Sequence, residues 1–327
     1  MEEERNSGKK TFKILSIDGG GILGLYSVDV LDRIQKEYCN GRPLSQEFNL
    51  ITGTSTGGII ALGLAIGKSA EQIKEFYLRY GESIFPKNRR KRPGVFKQKY
   101  SNASLKNTLK EFFGNQRIKN CKTAVCIPSI NAATCQPIIF KTNNNGSLTR
   151  DEDFSLVDIA LATSAAPTYF PMHSFENFLG LVDGGLWQNN PALCGVIEAI
   201  SYFVGEGKEF DSMKILSIGN PSSVTRSSVY TKKHNSGIWN WKQNLVHLPM
   251  KVTSIATHQI LQILHRNNAL NIKDYLRIEP NNLTEDYKNL KLDSADDQSY
   301  KKLQELSFQD FNQNKHLLQK FFKEEEL

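Results

Sequence analysis

No C-x-x-C pair occurs anywhere in the 327 residues, and the five cysteines (Cys39, Cys121, Cys126, Cys135 and Cys194) are scattered and odd in number. Thiolate metal sites and disulfide frameworks depend on paired spacings, so neither is expected, and a reducing compartment fits best. Met1 to Lys10 runs from acidic to polar and basic without an apolar segment, so the chain does not open as a secretory signal. Internal repeats are missing, and so is any composition shift that would mark a domain boundary. Nor does the composition of the whole chain suggest disorder, because 39% of residues are hydrophobic and 23% charged, near ordinary globular values. Charge itself is absent from Phe48 to Gly67, a run long enough to suggest a membrane span. That run holds five glycines and the clustered hydroxyls of Thr52, Thr54, Ser55 and Thr56, which suit a strand, a sharp turn and a buried helix better than a spanning helix. The expectation is a soluble protein that visits membranes.

The charge that is present sums to +7, with a pI near 9.0. A basic surface suits anionic lipid, nucleic acid or a phosphorylated small ligand, and charge alone does not choose among them. Residues 12–17 alternate around an apolar core and read as a strand that runs into Asp18-Gly19-Gly20-Gly21. A helix should follow, with Leu25, Val28, Leu31, Ile34 and Tyr38 on one face and Asn40-Gly41 as its stop. Phe48 to Thr52 reads as a second strand, followed by Gly53-Thr54-Ser55-Thr56-Gly57-Gly58 and an apolar helix to about Gly67. Further strands are expected at Thr123–Ile127, Ile138–Lys141 and Lys214–Ile218, the last repeating the Lys-Ile-Leu-Ser-Ile of the first. Strands alternating with helices predict an α/β fold: a three-layer α/β/α sandwich on a mainly parallel sheet. The expected division is a catalytic domain over residues 10–280 and a helical extension over 281–327, where Leu303, Leu306, Phe311, Leu318 and Phe322 provide an apolar face to pack against it.

Three short segments carry chemistry. Gly53-x-Ser55-x-Gly57 fits a nucleophile elbow in the context that pattern requires, an apolar strand before and an apolar helix after. Glycines let the chain approach itself closely at the bend, and the helix N-terminus favours developing negative charge. A glycine-rich turn with an incidental serine is the bland reading, and the flanking elements count against it. Gly19, Gly21 and Gly24 also satisfy the G-x-G-x-x-G of dinucleotide binding. Both readings use backbone N–H groups to hold an anion, a pyrophosphate in one and the oxyanion of a tetrahedral intermediate in the other. The dinucleotide reading also needs an acidic residue ending a strand about 20 positions on. Cys39–Leu44 offers neither strand nor acid, and the next strand delivers Ser55 instead. The third segment, Leu181-Val182-Asp183-Gly184-Gly185, is by itself compatible with an ordinary Asp-Gly turn.

Together, the D-G-G-G loop, the G-x-S-x-G elbow and the later D-G-G resemble the patatin-like phospholipase family in order and context, over about residues 12–220. Ala162 to Pro171 is similar to the stretch that precedes that family's catalytic aspartate. The resemblance implies Ser55 as nucleophile, Asp183 as its base, Gly19, Gly20 and Gly21 as the oxyanion hole, and neither metal nor cofactor. It also implies a Ser-Asp dyad that cleaves fatty acyl esters of membrane phospholipids through an acyl-enzyme. One departure is Leu23, where the family usually has Arg or Lys. The compact layout and the region around Lys273 to Ile278 look most like phospholipase effectors of antiviral (anti-phage) defence that a cyclic nucleotide switches on. From that follow the expected partners: a phospholipid membrane surface, a cyclic nucleotide activator and a second copy of the chain, with a cytoplasmic location at the inner face of the membrane.

Two rivals stand beside this reading. A conventional Ser-His-Asp triad of α/β-hydrolase type is available in chain order, because His234, His247, His258 and His265 all follow Asp183. A non-catalytic nucleotide-binding module on the same sheet is the other. The basic run Lys87-Asn88-Arg89-Arg90-Lys91-Arg92 reads first as a solvated loop and second as an anionic-membrane contact. No recognition module accompanies it, so a nucleic acid polymer is not expected as a partner.

Overall fold

A computed structural model describes residues 10–86, 98–144, 146–221, 244–280, 287 and 290–323. The basic run at 87–92 and His234 lie outside them. Eight strands form one sheet: β1 (Thr11–Ile17), β2 (Leu50–Gly53), β3 (Ala124–Asn131), β4 (Gln136–Lys141), β5 (His173–Phe175), β6 (Phe178–Asp183), β7 (Ser212–Ile218) and β8 (Ile272–Ile278). Their order is β5-β6-β3-β2-β1-β7-β8, with β4 also paired to β3. The centre is parallel, β3-β2-β1-β7-β8, as the alternating pattern predicts. The β3-β4, β3-β6 and β5-β6 pairs are antiparallel.

Side-chain alternation along β1 separates two cores. Leu15 and Ile17 join the larger apolar cluster, whereas Phe12 and Ile14 join the smaller one on the opposite face. Helices α1 (Gly24–Tyr38), α2 (Thr56–Ala65), α3 (Ala70–Ile84), α4 (Asn102–Phe113) and α5 (Leu156–Thr163) contribute to the first cluster. After the short α6 (Gly185–Gln188), helices α7 (Ala192–Tyr202) and α8 (Asn244–Arg266) contribute to the second. Sheet and helices therefore make the three layers expected.

The uncharged run resolves as β2 and α2, and every residue of both is buried. A helix flanked on all sides needs no polar face, which is why it resembles a membrane span in composition. No described helix is long and apolar enough to cross a membrane. The C-terminal apolar residues fall on one helix, α9 (Asp297–Phe322), whose Leu303, Leu306, Phe311, Leu318 and Phe321 belong to the same cluster as α1. Asp296 caps it by accepting from the Ser299 N–H at 2.8 Å, and Tyr26 of α1 donates to Asp310 at 2.6 Å. The apolar content of this segment thus completes the main core.

Candidate active site

The parallel register brings Ile17 beside Gly53, so the chain segments leaving β1 and β2 emerge side by side. Glycines make that closeness achievable. A Cβ on Gly57 would lie 2.2 Å from the Ile17 carbonyl oxygen, and one on Gly53 would lie 2.0 Å from the Gly57 oxygen. Between them Ser55 adopts φ 54° and ψ −124°, a conformation ordinary side chains avoid at a cost of about 1–3 kcal/mol. The surroundings hold it there: the Ser55 N–H donates to Thr163 Oγ1 at 2.9 Å, and Thr163 donates in turn to the Pro128 carbonyl at 2.6 Å. Thr163 lies in the stretch singled out ahead of Asp183, which gives that stretch a definite task beneath the elbow.

Asp183 ends β6, opposite Ser129 of β3. Its Oδ2 accepts from Ser55 Oγ at 2.6 Å and its Oδ1 from the Gly185 N–H at 2.7 Å. The carboxyl is 1% exposed, and burial raises its pKa to about 6 against the opposing pull of the Ser55 and Gly185 hydrogen bonds. Hydroxyl and carboxylate are thus in direct contact, with the carboxyl pKa raised and its second oxygen fixed.

The glycine loop flanks this pair. A Cβ on Gly19 would approach Ser55 Cβ to 3.1 Å. The three glycines named from the sequence differ in what they offer, however. The Gly19 N–H already donates to the Asn189 carbonyl at 3.1 Å. No described residue accepts from the N–H of Gly20 or Gly21, so among the described residues these two loop donors have no acceptor. Gly21 has φ +56°, and a Cβ there would lie 2.2 Å from the Leu292 oxygen. Leu23 is buried in the main core.

A cation does reach the loop from elsewhere. Arg277 of β8 pairs with Asp18 through two hydrogen bonds, Nη1 to Oδ1 at 2.9 Å and Nη2 to Oδ2 at 2.7 Å. Ser254 of α8 donates to the same carboxylate at 2.6 Å. Burial disfavours the Arg277 charge, but Asp18 and then Glu279 outweigh that and raise its pKa. In the sequence Arg277 stands out only as part of the segment Lys273 to Ile278. Its signal was an arginine inside an alternating Ile-x-x-x-Leu-x-Ile strand pattern.

The histidines lie elsewhere. His247 contacts Tyr169 at 3.0 Å, His258 contacts Tyr275 at 2.9 Å, and His173 contacts Asp158 at 2.9 Å. Among the described residues no histidine hydrogen-bonds Ser55 or Asp183. A cavity of about 60 Å³ opens at the serine, with walls including Ile59, Phe76, Ile84, Phe170, Val246 and Met250. Among the described residues there is no group of histidine, cysteine or carboxylate side chains arranged to hold a metal ion.

An elbow serine in contact with a buried carboxylate, on a mainly parallel α/β sheet and beside an apolar cavity, places the protein among lipid ester hydrolases. A profile of the family described as "Patatin-like phospholipase" matches residues 15–193. A cGAMP-activated phospholipase of Vibrio cholerae is 34% identical, over 96% of this chain and 95% of that protein. The protein of the same name in Escherichia coli is 33% identical, over 94% and 92%. Patatin-like protein 2 of Oryza sativa subsp. indica is 30% identical, over 84% and 78%. The chain belongs to the patatin-like phospholipase family.

Proposed function

We propose that this chain hydrolyses fatty acyl esters of membrane phospholipids with a Ser55–Asp183 dyad, and that a cyclic dinucleotide switches it on. The 2.6 Å contact between Ser55 Oγ and Asp183 carries the first part. As Ser55 attacks the acyl carbonyl, its proton passes to Asp183 and the carbonyl oxygen takes up negative charge, held by the N–H groups of Gly20 and Gly21. Collapse breaks the ester bond, and the leaving alkoxide takes the proton from Asp183. Water then loses a proton to Asp183 as it attacks the acyl-enzyme, and the fatty acid departs with Ser55 reprotonated. Incubating purified protein with phospholipid or a chromogenic acyl ester, with and without cGAMP, tests the reading. Wild-type turnover no higher than that of Ser55→Ala under every condition overturns it.

The direct contact of Ser55 with Asp183 supports the dyad over a triad with an imidazole between them. His247, the triad candidate nearest the glycine loop, is pushed by burial to a lower pKa. His247→Ala should lower ester hydrolysis less than about threefold, where removing a general base costs about 10²–10⁴. A loss in the latter range, with the melting curve unchanged, would establish the triad instead.

The membrane surface as substrate source is supported by α8. Its inner face supplies Val246 and Met250 to the cavity, while Leu245, Leu248, Val252 and Ile255 are exposed outward, Leu245 at 48% and Val252 at 53%. The helix carries Lys251 and Arg266 but no acidic residue, which suits an anionic lipid face. Replacing these four apolar residues by serine should reduce binding to phosphatidylglycerol vesicles by about tenfold or more, while hydrolysis of a soluble short-chain ester persists. Equal vesicle binding removes this surface from the proposal.

The activator reading draws on the names of the Vibrio cholerae and Escherichia coli relatives. It also suits the size of the cavity, which falls well below the roughly 300–1,000 Å³ usual for ligand pockets. In this reading an acyl chain is seated as Val246 and Met250, the α8 residues of the cavity wall, move outward. Action at the inner face of the membrane in antiviral defence, with a second copy of the chain as partner, completes the proposal.

A further inference from the structure

A second cavity, of about 340 Å³, lies between the C-terminal half of α8 and β8, away from Ser55 and Asp183. Gln262, His265 and Arg266 line it from the helix, and Arg277 and Glu279 from the strand side. Its chemistry is one-sided. Glu279, the one carboxylate among the described residues lining the cavity, accepts from Arg277 at 2.7 Å and is held ionised by that charge against the cost of burial. Arg266 and His265 enter no ion pair with any described residue. Unused donors and a surplus of positive charge in a space of ligand size fit a phosphate-bearing ligand.

The walls of this cavity also lead to the active site. Arg277 extends from the cavity wall to Asp18, the residue that opens the glycine loop. Ser254, one turn before His258 of the cavity on the same helix, holds the other side of that contact. Val246 and Met250, further along α8, form part of the wall above Ser55. One helix therefore touches the second cavity, the glycine loop and the acyl cavity.

We propose that the cavity between α8 and β8 binds the phosphodiester of a cyclic dinucleotide, with Arg266, His265 and Gln262 as its donors, and that occupancy repositions α8 over Ser55. This rests on the reading that a cyclic dinucleotide activates the chain. Binding draws the C-terminal half of α8 toward the phosphate, and the shift reaches Met250 and, across Pro249, Val246 in the same helix. Asp18 and Arg277 carry the change to the glycine loop.

Calorimetric titration of the full chain with cGAMP tests the site. The double variant His265→Ala/Arg266→Ala should bind at least about tenfold more weakly than wild type, because two charge-capable donors are lost. Lys320→Ala on α9 removes a positive charge far along the chain and should bind as wild type does, and melting curves report whether each variant is folded. Gln262→Ala offers a second, uncharged test and should weaken binding in the same direction. If wild type binds and both cavity variants bind equally well, this site is overturned while activation by a dinucleotide stands. If wild type binds no cGAMP, the activation reading falls, and the site with it. Equal weakening by Lys320→Ala would show a response to net charge and overturn the site as well.

Discussion

Asp183→Asn is expected to lower kcat by about a thousandfold or more, because amide nitrogen cannot take the Ser55 proton. Asparagine is nearly isosteric, so its side-chain oxygen still accepts from the Gly185 N–H and its amide still meets Ser55. The loss therefore reads chemistry. Ser55→Ala should fall to a similar background, and the double variant should fall no further, because the two groups act as a unit. Turnover of Asp183→Asn within tenfold of wild type would mean that another group takes the proton.

The same carboxyl makes a prediction with two opposite signs. It acts as a base only when ionised, so kcat/KM should rise with pH through about 6. Stability should move the other way. Burial raises the folded pKa to about 6 from an unfolded value near 3.9. Protonated Asp183 thus contributes stability that is fully present below about pH 4 and lost as pH rises through 6, amounting to roughly 3 kcal/mol. Asp183→Asn avoids ionising a buried group. It should melt at or above wild type at pH 8, with the gap closing as pH falls toward 4. A lower melting point for Asp183→Asn at pH 8 would show that the buried charge is better compensated than two hydrogen bonds allow.

Local chemistry explains which parts of this molecule could be read from the residues alone. The elbow was readable because Gly53 and Gly57 sit where a Cβ would strike backbone within about 2 Å, leaving glycine as the residue that fits. Strands β1, β2 and β7 were readable because both faces are covered, which demands continuous apolar runs. Strand β8 escaped because Lys273, Asp274 and Arg277 break its apolar pattern, although Ile272, Leu276 and Ile278 are buried. Strand β5 and its hairpin pairing with β6 escaped because both strands are short and partly exposed, although the apolar end of β6 ahead of Asp183 was legible. Which loop amides stay free was hidden for another reason. Gly19 is committed by the Asn189 carbonyl, 170 positions away, and no spacing rule reports such a contact. Arg277 was hidden in the same way: its partner Asp18 is at the other end of the chain and meets it only because β8 lies two strands from β1.

That long-range pair carries the second large effect. Asp18 and Arg277 are 3% and 4% exposed, so removing either leaves the other buried with fewer partners. Arg277→Met should cost about 3–5 kcal/mol, because it leaves the Asp18 carboxylate buried with the Ser254 hydroxyl as its remaining side-chain donor. A fall in melting temperature of roughly 5–10 °C is the corresponding readout. The double variant Asp18→Asn/Arg277→Met removes both charges and should melt above the single Arg277→Met, since an uncompensated charge costs more than an absent pair. Activity should separate from stability here. Asp18 opens the loop that presents the Gly20 and Gly21 amides, and a displacement of about 1 Å there can cost up to about 100-fold in rate. The double variant should therefore recover stability without recovering kcat, and KM should change little, as expected for contacts made only in the transition state. If kcat returns together with melting temperature, Arg277 merely supports the fold. If kcat stays low in the refolded, stable double variant, the charge pair positions the oxyanion donors, and the cation missing at Leu23 has its counterpart in Arg277.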